Sequence, residues 1–217
     1  MKKEIIPSVY VIAFLIFWTV MAMEPASRHT WFVENIILIL FFSILVASHK
    51  RFRFSNTSYT LIFVFALLQT IGAHYTYSLV PLDWFTNFFE FERNHFDRIV
   101  HFSFGLLMAY PFREFLMRTS KIKNKFWSYY FPIEMAFGTG AMYEIIEWLY
   151  AIKSNPQAGN AFLGSQGDIW DAQLDMFLAG VGAALSMLIT YIVCLLKKNE
   201  KNSMVENVPK EAYIQSF

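Results

Sequence analysis

Charge is the scarcest thing in this chain. Of its 217 residues only 16% are Asp, Glu, Lys or Arg, while 56% are hydrophobic. An ordinary globular domain is about 25% charged. A single soluble domain of this length would have to hide far more apolar surface than its fold encloses, so a polytopic membrane protein is expected. The same apolar load excludes a disordered chain. Cysteine is almost missing: the one residue, Cys194, excludes a disulfide scaffold. A charge excess is missing as well. Eighteen Lys and Arg offset seventeen Asp and Glu to leave +1, which gives no bulk argument for a nucleic-acid partner. There is no internal repeat, coiled-coil heptad or low-complexity tract, and no period-2 alternation that would read as strand. The common hydrolase signatures are absent too: no H-E-x-x-H and no G-x-S-x-G. Five histidines are too few for a histidine-rich membrane desaturase.

What is present is six apolar stretches of spanning length, about 17–25 residues each. They run over about 5–23, 31–48, 59–80, 95–116, 126–152 and 172–196. Hydrocarbon cannot satisfy free backbone groups, so each is expected to be helical. The fold class is therefore all-α, a polytopic bundle with six transmembrane helices and one domain over residues 1–196. The start "MKKE" plus an apolar run suggests a signal peptide. Its run is longer than a typical h-region and no A-x-A site follows, so it reads as an uncleaved first span.

The few basic residues sort by side. One side collects Lys2, Lys3, Lys50, Arg51, Arg53, Arg113, Arg118, Lys121, Lys123, Lys125, Lys197, Lys198, Lys201 and Lys210. The other has only Arg28, Arg93, Arg98 and Lys153. The positive-inside rule then puts both termini in the cytoplasm. Residues 197–217 become a polar cytoplasmic tail. The outer segment 81–94, "PLDWFTNFFEFERN", is too aromatic for a free loop. Trp84, Phe85, Phe88, Phe89 and Phe91 read as headgroup-level anchors, or as a collapsed hydrophobic loop.

Ionisable groups inside spans cost about 2.5–3.5 kcal/mol each at mid-span, and persist when they pair, line a cavity or act in function. Here they gather near one level. His74 lies near the outer end of the third span. Asp97 and His101 are i, i+4 at the start of the fourth and share a face. Glu144 and Glu147 are i, i+3 near the end of the fifth. Asp168, Asp171 and Asp175 form a stripe about 60° wide at the entry to the sixth. Four helices thus aim titratable groups at one outward-facing pocket. Structural readings stay open for each residue alone. His74 fits a buried histidine bonded to a carbonyl, Arg98 a partner of Asp97, and Asp97 or Asp168 a helix cap. Glu134 reads as a structural acid, and His29, His49 and His95 as solvated. Cys194 is expected at the inner end of the last span, without a disulfide.

The stretches "GAHYTYSLVPL" (72–82), "FERNHFDRIVHFSFG" (91–105), "YEIIEW" (143–148) and "FLGSQGDIWDAQLDMFLAG" (162–180), with Thr30 and Trp31 in "HTW", resemble the YjdF-like family of bacterial inner-membrane proteins. The resemblance covers about residues 28–185. It implies a bacterial inner membrane and several spans, and no activity. A looser resemblance links the chain to VanZ-like membrane proteins, which pair a D-[KR]-x-x-H helix with an Asp-rich entry to the last span. Here those positions are Asp97, Arg98 and His101, then Asp168, Asp171 and Asp175. The usual Asn of that last span is absent, and Asp175 stands near its place.

Three functional readings follow. In the first, His74, His101, Glu144, Glu147, Asp168, Asp171 and Asp175 hold a divalent metal, with Zn, Mn or Fe suited to mixed imidazole and carboxylate ligands. A metal-activated water then attacks a lipid-linked phosphate or ester, with Arg98 pairing the phosphate. A metal-free version draws its acid and base from Glu144, His101 and Asp97. In the second, the same groups relay protons in a transporter, although six spans without a repeat or a central helix break argue against it. In the third, they are an ion-paired structural knot in a non-catalytic membrane partner.

Overall fold

A computed structural model describes residues 2–120, 122–154, 159, 163 and 165–206. Among them there are seven helices and no strand. They are α1 (Lys2–Met21), α2 (Arg28–Ser48), α3 (Asn56–Tyr75), α4 (Asp83–Phe88), α5 (Phe96–Thr119), α6 (Lys125–Lys153) and α7 (Asp171–Glu206). Side-chain caps set three of the starts. Ser27 accepts from the Thr30 N–H, Ser55 from the Ser58 N–H, and Asn124 from the N–H groups of Phe126 and Trp127. Each satisfies backbone donors that the first helical turn leaves free.

A long helix covers most of each of the six apolar stretches. Two boundaries differ from the sequence expectation by more than three residues. The third stretch was expected to run to residue 80, but α3 ends at Tyr75. Thr76 and Tyr77 follow with φ of 52° and 53°, a left-handed pair that non-glycine residues adopt only under constraint. The Tyr77 N–H closes the turn on the Gly72 carbonyl at 2.8 Å. At the other end of the chain, α7 continues past residue 196 to Glu206. The first ten residues of the expected tail are therefore helical, and 207–217 lie outside the described residues. The aromatic segment 81–94 contributes the short α4, which leaves Trp84 70% and Phe88 77% exposed.

Burial is inverted relative to a soluble protein. Glu34, Ser58, Thr70 and Asp175 are almost fully enclosed, while Ile36, Ile44, Phe177 and Leu196 stand open. Helices α2, α3 and the Asp171–Glu200 part of α7 are long and apolar enough to cross a membrane, and α1 carries a shorter apolar run, Pro7–Met21. At 24 and 29 residues, α5 and α6 have the length but carry more internal charge.

Helices α5 and α7 run parallel, with their backbones in contact. A Cβ on Gly105 would collide with the Ala179 carbonyl, and one on Gly182 with the Phe102 carbonyl. Ala109, Ala136 and Ala183 fill the same seam with Met187. Small residues are what let membrane helices approach this closely. The contact fixes the N-terminal turns of α5 and α7 side by side. The C-terminal turns of α3 and α6 arrive at the same end of the bundle. At the far end, Glu114 of α5 accepts from the Ser55 N–H at 2.8 Å and from the Ser58 hydroxyl at 2.5 Å, which clamps the α2–α3 connection.

Candidate functional site

Five helices deliver acidic or imidazole side chains to that shared end. Glu34 comes from α2, His74 from α3, Asp97 and His101 from α5, Glu144 and Glu147 from α6, and Asp171 and Asp175 from α7. Apart from His74, every one of these is less than a tenth exposed. They form three layers.

The outermost layer is a cationic clasp. Arg93, just before α5, donates to Asp171 at 2.6 Å and to the Ser165 carbonyl at 3.0 Å. Arg98 donates to Asp168 and, at 3.3 Å, to Asp171. Asn94 and Gln166 exchange two hydrogen bonds, at 3.0 and 2.9 Å, between the same two segments. Asp168 also accepts from the Trp170 N–H at 2.9 Å, so it caps the approach to α7 as well as pairing. That backbone donor, with Arg98, holds its carboxyl below the usual aspartate range.

The middle layer is the centre itself. One ligand-type atom from each of Asp97, His101 and Asp175 lies within 4.8 Å of the others. His101 Nε2 is 3.3 Å from Glu144 Oε1 and 3.7 Å from Asp97 Oδ1. Glu144 Oε1 and Asp175 Oδ1 are buried and accept no hydrogen bond. Among the described residues, no Lys or Arg lies within ion-pair distance of Asp97, Glu144, Glu147 or Asp175. The one-turn spacing of Asp97 and His101 on α5 is thus realised at the centre, where α7 contributes Asp175 alone.

The inner layer is built on Glu34. Its Oε2 accepts from the Tyr143 hydroxyl, from Tyr77 at 3.2 Å and from Gln69 at 3.5 Å, while Oε1 has no partner. The Tyr143 ring packs edge-on to His101 at 5.9 Å between centroids, which joins this layer to the centre. Tyr77 reaches Glu34 only because the left-handed turn after α3 swings its ring back over Gly72, where any Cβ would strike the ring.

The sequence candidates divide accordingly. His101, Asp97, Glu144 and Asp175 meet directly, and Glu147 is buried one turn from Glu144. Asp168 and Asp171 meet the arginines instead. Arg98 pairs across to α7 and its entry loop, although the sequence pointed to its neighbour Asp97. His74 is not in the centre: its Nδ1 bonds the Met21 carbonyl at 2.8 Å, the buried-histidine reading of that residue. His29 and His49 are not simply solvated, since they bond Tyr150 and Tyr59. Reading the sequence overlooked Glu34, Gln69, Tyr77, Tyr143 and Arg93 as parts of the site. Glu34 carried a signal, as the lone acid of an otherwise apolar stretch. The tyrosines carried none, because tyrosine is common at membrane interfaces.

Comparison with known proteins adds family context. The profile of a family described as "Predicted membrane protein (DUF2238)" matches residues 6–195. The chain is 34% identical over 163 residues to a protein of Escherichia coli (strain K12) named "Inner membrane protein YjdF", covering 75% of this chain and 78% of that one. No solved structure matches.

Proposed function

The chain belongs to the DUF2238 family of predicted membrane proteins, and on that premise we propose that it is a six-span inner-membrane protein holding a divalent cation in an outward-facing His/carboxylate centre. The site end of the bundle is the outer one, by the sorting of basic residues, and both termini are cytoplasmic. The exposed Trp84, Phe88 and Trp170 then lie at the outer headgroups, where aromatic residues concentrate.

The observation that carries the cation is the enclosed set of Asp97, His101 and Asp175, whose ligand-type atoms lie within 4.8 Å of one another, with Asp175 Oδ1 accepting no hydrogen bond. Buried carboxylates without a cationic partner are costly, because enclosure removes the water that stabilises their charge. A divalent cation between Asp97, His101 and Asp175 offsets that charge, and the mixed nitrogen and oxygen donors suit Zn, Mn or Fe. Such a cation supplies Lewis-acid chemistry toward an ester or phosphoryl group of a lipid-linked substrate. Glu144 is the group left beside it to take up or give a proton. Arg93 and Arg98 form the rim, and an anionic headgroup would compete with Asp168 for Arg98.

Metal analysis of detergent-purified protein tests this. A stoichiometric metal is expected in the wild type and should be lost in Asp175→Asn and reduced in Glu144→Gln. A folded wild type that carries no metal, and takes up none of Zn, Mn or Fe, sinks the proposal.

A second reading, proton relay, is favoured by two polar pairs, Tyr143 on Glu34 and His101 beside Glu144, which meet at the Tyr143–His101 ring contact. Beyond them the bundle offers the apolar cluster of Ala109, Ala136, Ala183 and Met187, which has no titratable group. Proton flux in liposomes that disappears with Glu34→Gln would select it over the first.

A further inference from the structure

A long apolar slot leads away from the centre. Its volume is about 220 Å³, and Leu38, Phe41, Phe65, Phe104, Met108 and Phe112 supply much of its wall. On α5 alone its lining extends from Asp97 to Phe112, about 22 Å of helix at 1.5 Å per residue. It is therefore narrow for its length. One end is polar, where Asp97, His101, Gln69, Tyr77 and Tyr143 meet. It reaches the protein surface at Thr139 of α6, an exposed residue.

An apolar cavity of ~150 Å³ stays free of water and accepts a benzene molecule. This slot is larger, and in a membrane protein its mouth faces hydrocarbon rather than water. We infer that it takes the single hydrocarbon chain of an anionic amphiphile drawn from the bilayer, with the anionic head against Asp97 and His101. The tail follows from the apolar, aromatic wall and the lateral mouth. The anionic head rests on the cation proposed above, since without that cation the carboxylates would repel it. This names the substrate class of the same site.

The test uses full-length protein in liposomes and two photoactivatable probes, octyl phosphate and the uncharged octanol, each with a diazirine near the chain terminus. Label is expected on Phe104, Met108 or Phe112, stronger for the phosphate. It should be lost in Thr139→Trp, which plugs the mouth from an exposed position, while that variant keeps its metal. Labelling inside the slot that is equal for both probes and unaffected by metal removal would keep the tail site and refute the cation-bound head. Label spread over outward-facing residues such as Ile36, Ile44 and Phe177, and unchanged in Thr139→Trp, would overturn the inference whether or not metal is bound.

Discussion

His101 of α5 and Glu144 of α6 approach to 3.3 Å, Nε2 to Oε1, with each side chain 8% exposed. That pair joins two helices far apart in sequence and adds a donor-type nitrogen to a group of carboxylates with few cations near them. Arg93 and Arg98 are occupied one layer outward, on Asp168 and Asp171. The centre is thus a pocket of enclosed carboxyl groups under a lid of paired charge, and its consequences can be measured.

A bound cation should stabilise the fold. Ligand at ~100 times its Kd adds about 2.7 kcal/mol to folding. Chelator is expected to lower the wild-type melting temperature in detergent and to leave Asp175→Asn unmoved. Chelator-independent melting of both proteins would count against a resident metal.

The α5–α7 seam should tolerate no side chain at Gly105. Gly105→Leu must part the two backbones, and its cost is expected at or beyond the upper end of the ~1–3 kcal/mol usual for overpacking. Gly138, also helical, has open space around its Cα. Gly138→Ala should be neutral or gain up to about 1 kcal/mol from helix propensity. Thermal denaturation of the two variants checks the contrast, and similar losses would mean the seam is not close-packed.

Tyr143→Phe removes a donor from Glu34, whose other oxygen already lacks one. The expected loss is about 1–3 kcal/mol. Adding Glu34→Gln should cost less than the sum of the single changes, with a coupling of at least about 0.5 kcal/mol. Additive effects would show that the two side chains do not act together.

The clasp should respond to acid. The Trp170 N–H and Arg98 hold the Asp168 carboxyl below its usual range. A depressed carboxyl favours the folded state above the unfolded-chain pKa of about 3.9 and loses that contribution as pH falls through its folded value. Hydrogen exchange across 165–170 should be slower in wild type than in Asp168→Asn at neutral pH. The two should converge once the pH falls below the folded-state pKa of Asp168, which lies under the unfolded-chain value of about 3.9. A difference that persists in acid would assign the protection to something other than this carboxylate.

Much of this architecture was legible without coordinates. Six apolar stretches could satisfy their backbones only as helices, and six long helices are what formed. One-turn spacings placed Asp97 with His101, and Asp171 with Asp175, on shared faces, because helical periodicity is local. The early end of α3 was not legible. Nothing local forbids Thr76 and Tyr77 from continuing a helix, and their left-handed turn is held by Tyr77 reaching Glu34 on another helix.

The partition of the carboxylates was equally invisible in one dimension. Asp168, Asp171 and Asp175 read as a single acidic stripe. Yet the first two meet arginines and the third lies beside His101, because the Gly105–Gly182 seam sets how α7 sits against α5. His74 looked like a member of the cluster and instead bonds a carbonyl, while Glu34 looked incidental and anchors the inner layer. The amino-acid sequence by itself determined the class, the helices and the level at which charge gathers, since these follow from hydropathy and a fixed period. Only the tertiary structure decided which charges touch, because that depends on how closely backbones approach and how each helix is rotated, and no local pattern encodes either.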